Sequence, residues 1–172
     1  MAEDLLHVEK LRATKKCGKC NLTGANLASM NLKGADLYRT KLSGANLTGA
    51  DLQGAYLRRT DLTNTNLTNT NLTSANLTDA NLKNANLTNA DLYRAQLSGA
   101  NLTGADLQGA YLRRTDLRGA NLTNTNLRGV HLTDTNLKSA NLTNADLTEA
   151  ILEYARFCKT TMPDRTVRNG NC

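Results

Sequence analysis

Leucine stands at every fifth position from Leu22 to Leu152 without exception, and Phe157 takes the next place. Twenty-eight consecutive five-residue units therefore cover residues 20–159. This period matches neither the helical turn of about 3.6 residues nor the two-residue alternation of a strand, so the chain can be neither one long helix nor one long strand. It must turn within every unit. Two places before each leucine sits a small residue, usually alanine (Ala25, Ala35, Ala45) or threonine (Thr60, Thr65, Thr70), and one place before it is mostly Asn or Asp.

A path of short extended sides joined by tight turns satisfies this pattern. With four sides of five residues, each circuit takes twenty residues and stacks on the one before, every leucine pointing inward with the small residue beside it. Seven circuits at about 4.8 Å each make a rod roughly 34 Å long. Composition agrees: one Phe, no Trp and one Pro among 172 residues leave leucine to do most of the burying. The polar excess would suit a disordered chain, but disordered chains lack regularly placed apolar residues. The unit has also been copied in bulk. Residues 42–62 read LSGANLTGADLQGAYLRRTDL, and residues 97–117 read the same, letter for letter. The offset of 55 residues is eleven units, as expected if a scaffold was lengthened by copying part of itself.

Written end to end, A-[DN]-L-x-x, as in Ala25-Asn26-Leu27 and Ala105-Asp106-Leu107, resembles the pentapeptide-repeat family over residues 20–159. The resemblance implies an all-β solenoid: a right-handed, four-sided parallel β-helix of about seven circuits. Departures are mild. Met30 and Val130 replace the small inward residue, and Lys41, Tyr56, Gln96, Tyr111, His131, Ile151 and Arg156 replace Asn or Asp. Because repeat proteins need caps, residues 1–19 are expected to form an N-terminal cap, with a helix over 3–13 carrying Leu5, Val8 and Leu11, acids first and bases later to suit the helix dipole. Residues 160–172 are expected to form a C-terminal capping tail.

On such a rod the four cysteines fall at opposite ends, Cys17 and Cys20 at one and Cys158 and Cys172 at the other, too far apart to share one metal ion. Two local disulfides are the expected state; free thiols and a redox-active CxxC are the alternatives. Disulfides would place the protein in an oxidising compartment. Residues 1–19 are too charged for the apolar core of a signal peptide. A cytoplasmic location follows if Met1 is the native start. If an export signal was removed, the expected location is the periplasm or the thylakoid lumen, because relatives with similar ends (cysteine before the first unit, F-C-x-T-T-M-P-D after the last) are familiar as exported cyanobacterial proteins. No run spans a membrane.

Chemistry is sparse. His7 and His131 are isolated, with no nucleophile or carboxylate pair placed for catalysis, and the recurrent Asp residues are explained by the unit itself. No catalytic, cofactor or metal site is expected. The surface is more suggestive. Assigning each unit to one of four faces puts Arg39, Arg58, Arg59, Arg118, Lys138, Arg156 and Lys159 on one face and Lys33, Arg94, Arg113 and Arg114 on its neighbour. All five tyrosines, Tyr38, Tyr56, Tyr93, Tyr111 and Tyr154, share those two faces. Tyrosine and arginine are favoured at binding surfaces, so Tyr38, Arg39, Tyr56, Arg58, Arg59, Tyr93, Arg94, Tyr111, Arg113 and Arg114 form the candidate interaction face. Seven acidic residues dilute it, and the copying has rotated the second cluster onto the adjacent face, which also fits a passive surface. A monomeric structural or protein-interaction scaffold with an unknown protein partner is the main expectation, with end-to-end association as the route to anything larger. Nucleic-acid binding through the basic faces is the alternative. Mimicry of DNA, known in this family, is disfavoured by a net charge of +6.

Overall fold

A computed structural model of the chain describes residues 2–170 and Cys172, with side chains from Leu5 onward. The residue before each leucine forms an isolated parallel bridge to the residue twenty positions on, in an unbroken ladder from Lys16↔Asp36 to Asn141↔Thr161. One bridge falls on every fifth residue, so each circuit has twenty residues and four sides. The leucines from Leu22 to Leu142 are at most 1% exposed and form one continuous core with the small residues between them. Threonine is tolerated there because its hydroxyl has a partner. Thr60 Oγ1 donates to the carbonyl of Leu37 at 2.7 Å, and Thr125 Oγ1 to that of Leu102 at 2.9 Å. Among the described residues no buried side-chain polar atom lacks a hydrogen bond, as a stable interior requires.

The sides are shorter than the expected extended pieces. The backbone N–H three residues after each leucine donates back to the leucine carbonyl, as from Ala75 to Leu72 at 3.0 Å. The residue two places after it has positive φ, 66° at Gly44 and 55° at Asn64. That is the pattern of a type II turn, which favours Gly or Asn at its third position. The Asn or Asp before the leucine braces the same turn: Asn66 Oδ1 accepts from the backbone N–H of Thr68 at 3.1 Å and from its hydroxyl at 2.7 Å. Turn and leucine together leave one bridging residue per side. The only strands among the described residues, β1 (Thr160–Thr161) and β2 (Val167–Arg168), lie in the tail.

Both ends depart from the leucine count. The coil begins one unit early, because Lys16 already bridges Asp36 and Cys17 fills a leucine place at 0% exposure, while Cys20, the small residue of the first leucine unit, is 4% exposed. The N-terminal helix α1 runs Ala2–Thr14. It ends where Lys15, at φ 54°, donates its N–H to the Leu11 carbonyl at 2.9 Å, a left-handed helix stop. Leu11 is fully buried and Val8 packs against the core, but Leu5 is 68% exposed, so the cap uses a narrower stripe than the spacing suggests. The side chains of Glu3 and Asp4, the acids expected to suit the helix dipole, lie outside the described residues. At the other end β2 pairs antiparallel with β1 (Thr161↔Val167) and sets the Arg168 guanidinium 4.0 Å from the centre of the Phe157 ring.

Cys17 is bonded to Cys20 with Cα atoms 5.2 Å apart, and Cys158 to Cys172 at 4.9 Å. A redox-active pair needs an accessible attacking sulfur, whereas Cys17 and Cys20 are in the core. The Cys158–Cys172 bond spans fourteen residues of sequence, a loop for which chain entropy supplies about 3 kcal/mol. Cys172→Ser is therefore expected to lower the unfolding free energy by up to about 3 kcal/mol. Peptide mapping without reduction should recover the two local pairs, and a crossed pair such as Cys17 with Cys158 would contradict the capped coil.

Candidate interaction surface

The two residues after each leucine occupy the outer corner of the turn, and the twenty-residue register stacks like positions of successive circuits. Tyr38 therefore lies beside Arg58, and Arg39 beside Arg59. The Arg39 guanidinium carbon is 5.4 Å from the centre of the Tyr38 ring. Arg59 Nε reaches Asp79 Oδ2 at 3.4 Å, and Arg58 approaches the same oxygen at 3.8 Å. Asp36, Tyr38, Tyr56 and Arg58 line a surface groove of about 550 Å³ with Lys15 and Lys16 at the end of α1.

The second cluster repeats part of this arrangement. Arg94 stands 5.1 Å from the Tyr93 ring centre, and Arg114 Nε is 3.5 Å from Asp134 Oδ2. Arg114 also donates to the Tyr93 hydroxyl at 3.4 Å. The Tyr93 hydroxyl and then Asp134 hold the Arg114 pKa above its ordinary value. The two clusters do not meet, because Tyr38 stacks with residues 58 and 78, and Tyr93 with residues 73 and 113. Tyr56 and Tyr111, 59% and 52% exposed, lie in the bridging columns, and Tyr56 shares the groove with Tyr38 and Arg58. The copies also differ in stacking: Tyr111 lies against His131, ring centres 5.4 Å apart, where Tyr56 meets Asn76.

The sequence treats Asp79 and Asp134 only as charges diluting a basic face, whereas Asp79 is approached by both Arg58 and Arg59 and Asp134 by Arg114. Their spacing of 55 residues, the copy distance, was the available signal. Other cations are engaged similarly, Lys33 with Asp51 at 3.2 Å and Arg118 with Asp116 at 2.7 Å. Partial burial opposes ionisation of Asp116, but the Arg118 hydrogen bonds and charge outweigh it and hold its pKa below the ordinary carboxylate value. Exposed pairs of this kind contribute little stability. Among the described residues, no group of three or more His, Cys, Asp or Glu side chains could hold a metal ion.

The pentapeptide-repeat model matches eight copies over residues 20–59, 55–94, 95–134 and 125–162. The chain belongs to the pentapeptide repeat family. Among solved structures, this pentapeptide repeat protein is similar to Rfr23 from the cyanobacterium Cyanothece 51142, with 29% identity over 92% of this chain and 98% of that chain and a TM-score of 0.48. It is also similar to HetL from Nostoc sp. strain PCC 7120, described as involved in heterocyst differentiation regulation, with 30% identity over 98% and 99% of the two chains and a TM-score of 0.33. A pentapeptide repeat protein of the Arabidopsis thaliana thylakoid lumen shares 36% identity over 62% of this chain and 68% of its own, with a TM-score of 0.44. No curated protein matches the chain. No described helix is long and apolar enough to cross a membrane.

Proposed function

We propose that this pentapeptide repeat protein is a non-catalytic scaffold, wound right-handed as the family resemblance implies, that presents two equivalent Tyr–Arg surfaces to a protein partner in the periplasm or thylakoid lumen. The reading rests on one observation: Arg over Tyr, beside a second arginine whose Nε reaches an Asp one circuit on, recurs in both copies with distances that agree within 0.3 Å. Its second arginines, Arg59 and Arg114, sit at φ 57° and 58°, where glycine is the easier residue. The paired carboxylates argue against the nucleic-acid alternative, since binding to DNA needs several phosphates neutralised together.

The test compares wild type with Arg58→Ala/Arg59→Gly, with Arg113→Ala/Arg114→Gly, and with all four changes combined. Relief of the left-handed positions should hold or raise the thermal midpoint, glycine being favoured there by about 1 kcal/mol. Capture of partners from a periplasmic or lumenal extract should fall in each half variant and vanish in the combined one. Unchanged capture by the combined variant would end the proposal. Micromolar binding of duplex DNA with a steep salt dependence would revive the alternative.

A further inference from the structure

The two ends of the coil are closed by different means. Helix α1 covers the first circuit, whereas the last is closed by the tail, in which β2 pairs with β1 and Arg168 lies over Phe157. Just past β2, Asn169 ties the tail to the coil: its Oδ1 accepts the backbone N–H of Lys159 at 3.1 Å. Asn169 precedes Gly170, the one Asn-Gly step in the sequence. Both residues are exposed and lie outside the strands. The asparagines of the coil are placed differently. In the bridging columns the next residue is a leucine whose N–H donates to the following circuit, as from Leu67 to Asn86 O at 2.7 Å, and the asparagine side chain is held in its own turn, as Asn66 Oδ1 is by the Thr68 N–H. At the turn corners the next N–H donates back to the leucine carbonyl, as from Thr65 to Leu62 at 3.1 Å. A backbone nitrogen fixed in this way cannot swing toward the side chain before it. The Gly170 N–H has no such acceptor among the described residues.

We propose that Asn169 is a site of self-modification, converting in the folded protein to isoaspartate and aspartate and so freeing the tail from Lys159. In the first step the Gly170 backbone nitrogen gives its proton to solvent base and bonds to Asn169 Cγ. The Cγ–Nδ2 bond breaks, the leaving nitrogen takes a proton from water and departs as ammonia, and a cyclic succinimide remains. Water then opens the ring. Cleavage of the bond between Cγ and nitrogen gives aspartate, whereas cleavage of the bond from the backbone carbonyl carbon to nitrogen gives isoaspartate, whose main chain runs through Cβ and Cγ and is one carbon longer. Glycine suits the attack because it carries no Cβ to crowd its nitrogen and its backbone is free to rotate. The Lys159 N–H is directed at the oxygen on which negative charge develops as the new bond forms, the placement that stabilises an oxyanion. The same hydrogen bond makes the change consequential. The longer main chain displaces the acceptor from Lys159 while the Cys158–Cys172 bond still joins the tail to the coil, and the new carboxylate takes one unit from the net charge of +6.

The test holds the full, disulfide-bonded chain in mildly alkaline buffer, with circular dichroism to confirm that the coil stays folded. Conversion is followed by peptide mapping and by methyl labelling with an isoaspartate methyltransferase. Gly170→Ala is the matched control, because a Cβ there meets nothing within 4 Å and the position has no positive φ, so the Lys159 hydrogen bond stays while the methyl group crowds the nitrogen. Asn169 should convert at least about tenfold faster than any asparagine of the coil, the ratio given by a barrier lower by about 1.4 kcal/mol. Gly170→Ala should slow the conversion of Asn169 by a similar factor. After return to neutral pH, amide hydrogen exchange read by nuclear magnetic resonance should be faster at Lys159 in the isoaspartate form than in fresh protein, and unchanged in Gly170→Ala held for the same time. The proposal is overturned if coil asparagines convert as fast as Asn169, if Gly170→Ala converts as fast as wild type, or if the isoaspartate form keeps Lys159 as protected as fresh protein does.

Discussion

Leu87→Asp is expected to abolish cooperative folding at room temperature or to lower the thermal midpoint by tens of degrees. Leu87 is fully buried near the middle of the coil, among leucines of the circuits on either side. A carboxylate placed there would have no partner, because the inward-facing hydroxyls of this core already donate to leucine carbonyls. Burying an unpaired ionisable group costs several kcal/mol in practice, and the protein either takes up a proton at that site or opens. In stacked repeats, stability is mostly nearest-neighbour, so a break at the centre separates two short coils, each with a bare end. Lys83→Asp, on an outer corner, is the matched control and should shift the midpoint by little. Equal midpoints for the two variants, measured by circular dichroism, would remove the inward assignment of the leucines.

Deletion of residues 43–97 is expected to yield a folded, shorter and less stable rod with one Tyr–Arg surface in place of two. The deletion removes one copy distance, so Leu42 runs into Ser98 in unbroken five-residue register. Tyr38 and Arg39 then stack beside Arg113 and Arg114, which take the places of Arg58 and Arg59, while Asp134 takes that of Asp79. Everything downstream turns by one side, which the core permits because leucine and a small residue occupy every side alike. The missing circuits remove the burial of eleven leucines, so the midpoint should fall steeply even though the fold persists. Partner stoichiometry should halve under the proposed function. A forty-residue deletion, which preserves side as well as register, is the comparison. If it folds and the 55-residue deletion does not, side identity matters to the core and the copied segment is more than added length.

Much of this architecture is written in the chain, because the information is local. An apolar residue every fifth place, with a small residue two places before it, specifies which atoms face inward at each unit independently of the rest, and the family membership of residues 20–162 agrees with that pattern. The turn was legible as well, in the Gly or Asn recurring two places after leucine, as at Gly44 and Asn64, although the leucine period alone suggested longer extended sides. Three things depended on the tertiary structure. Cys17 joins the coil because, bonded to Cys20 of the first leucine unit, it can fill the place of a leucine once a neighbouring circuit lies above it, which no count of leucines registers. Asp79 becomes the partner of Arg58 and Arg59, and Asp134 that of Arg114, because twenty residues close one circuit and bring sequence-distant side chains to one corner. The unequal ends were decided last, since a cap is defined by which rung it covers, and that rung exists only when the coil is assembled.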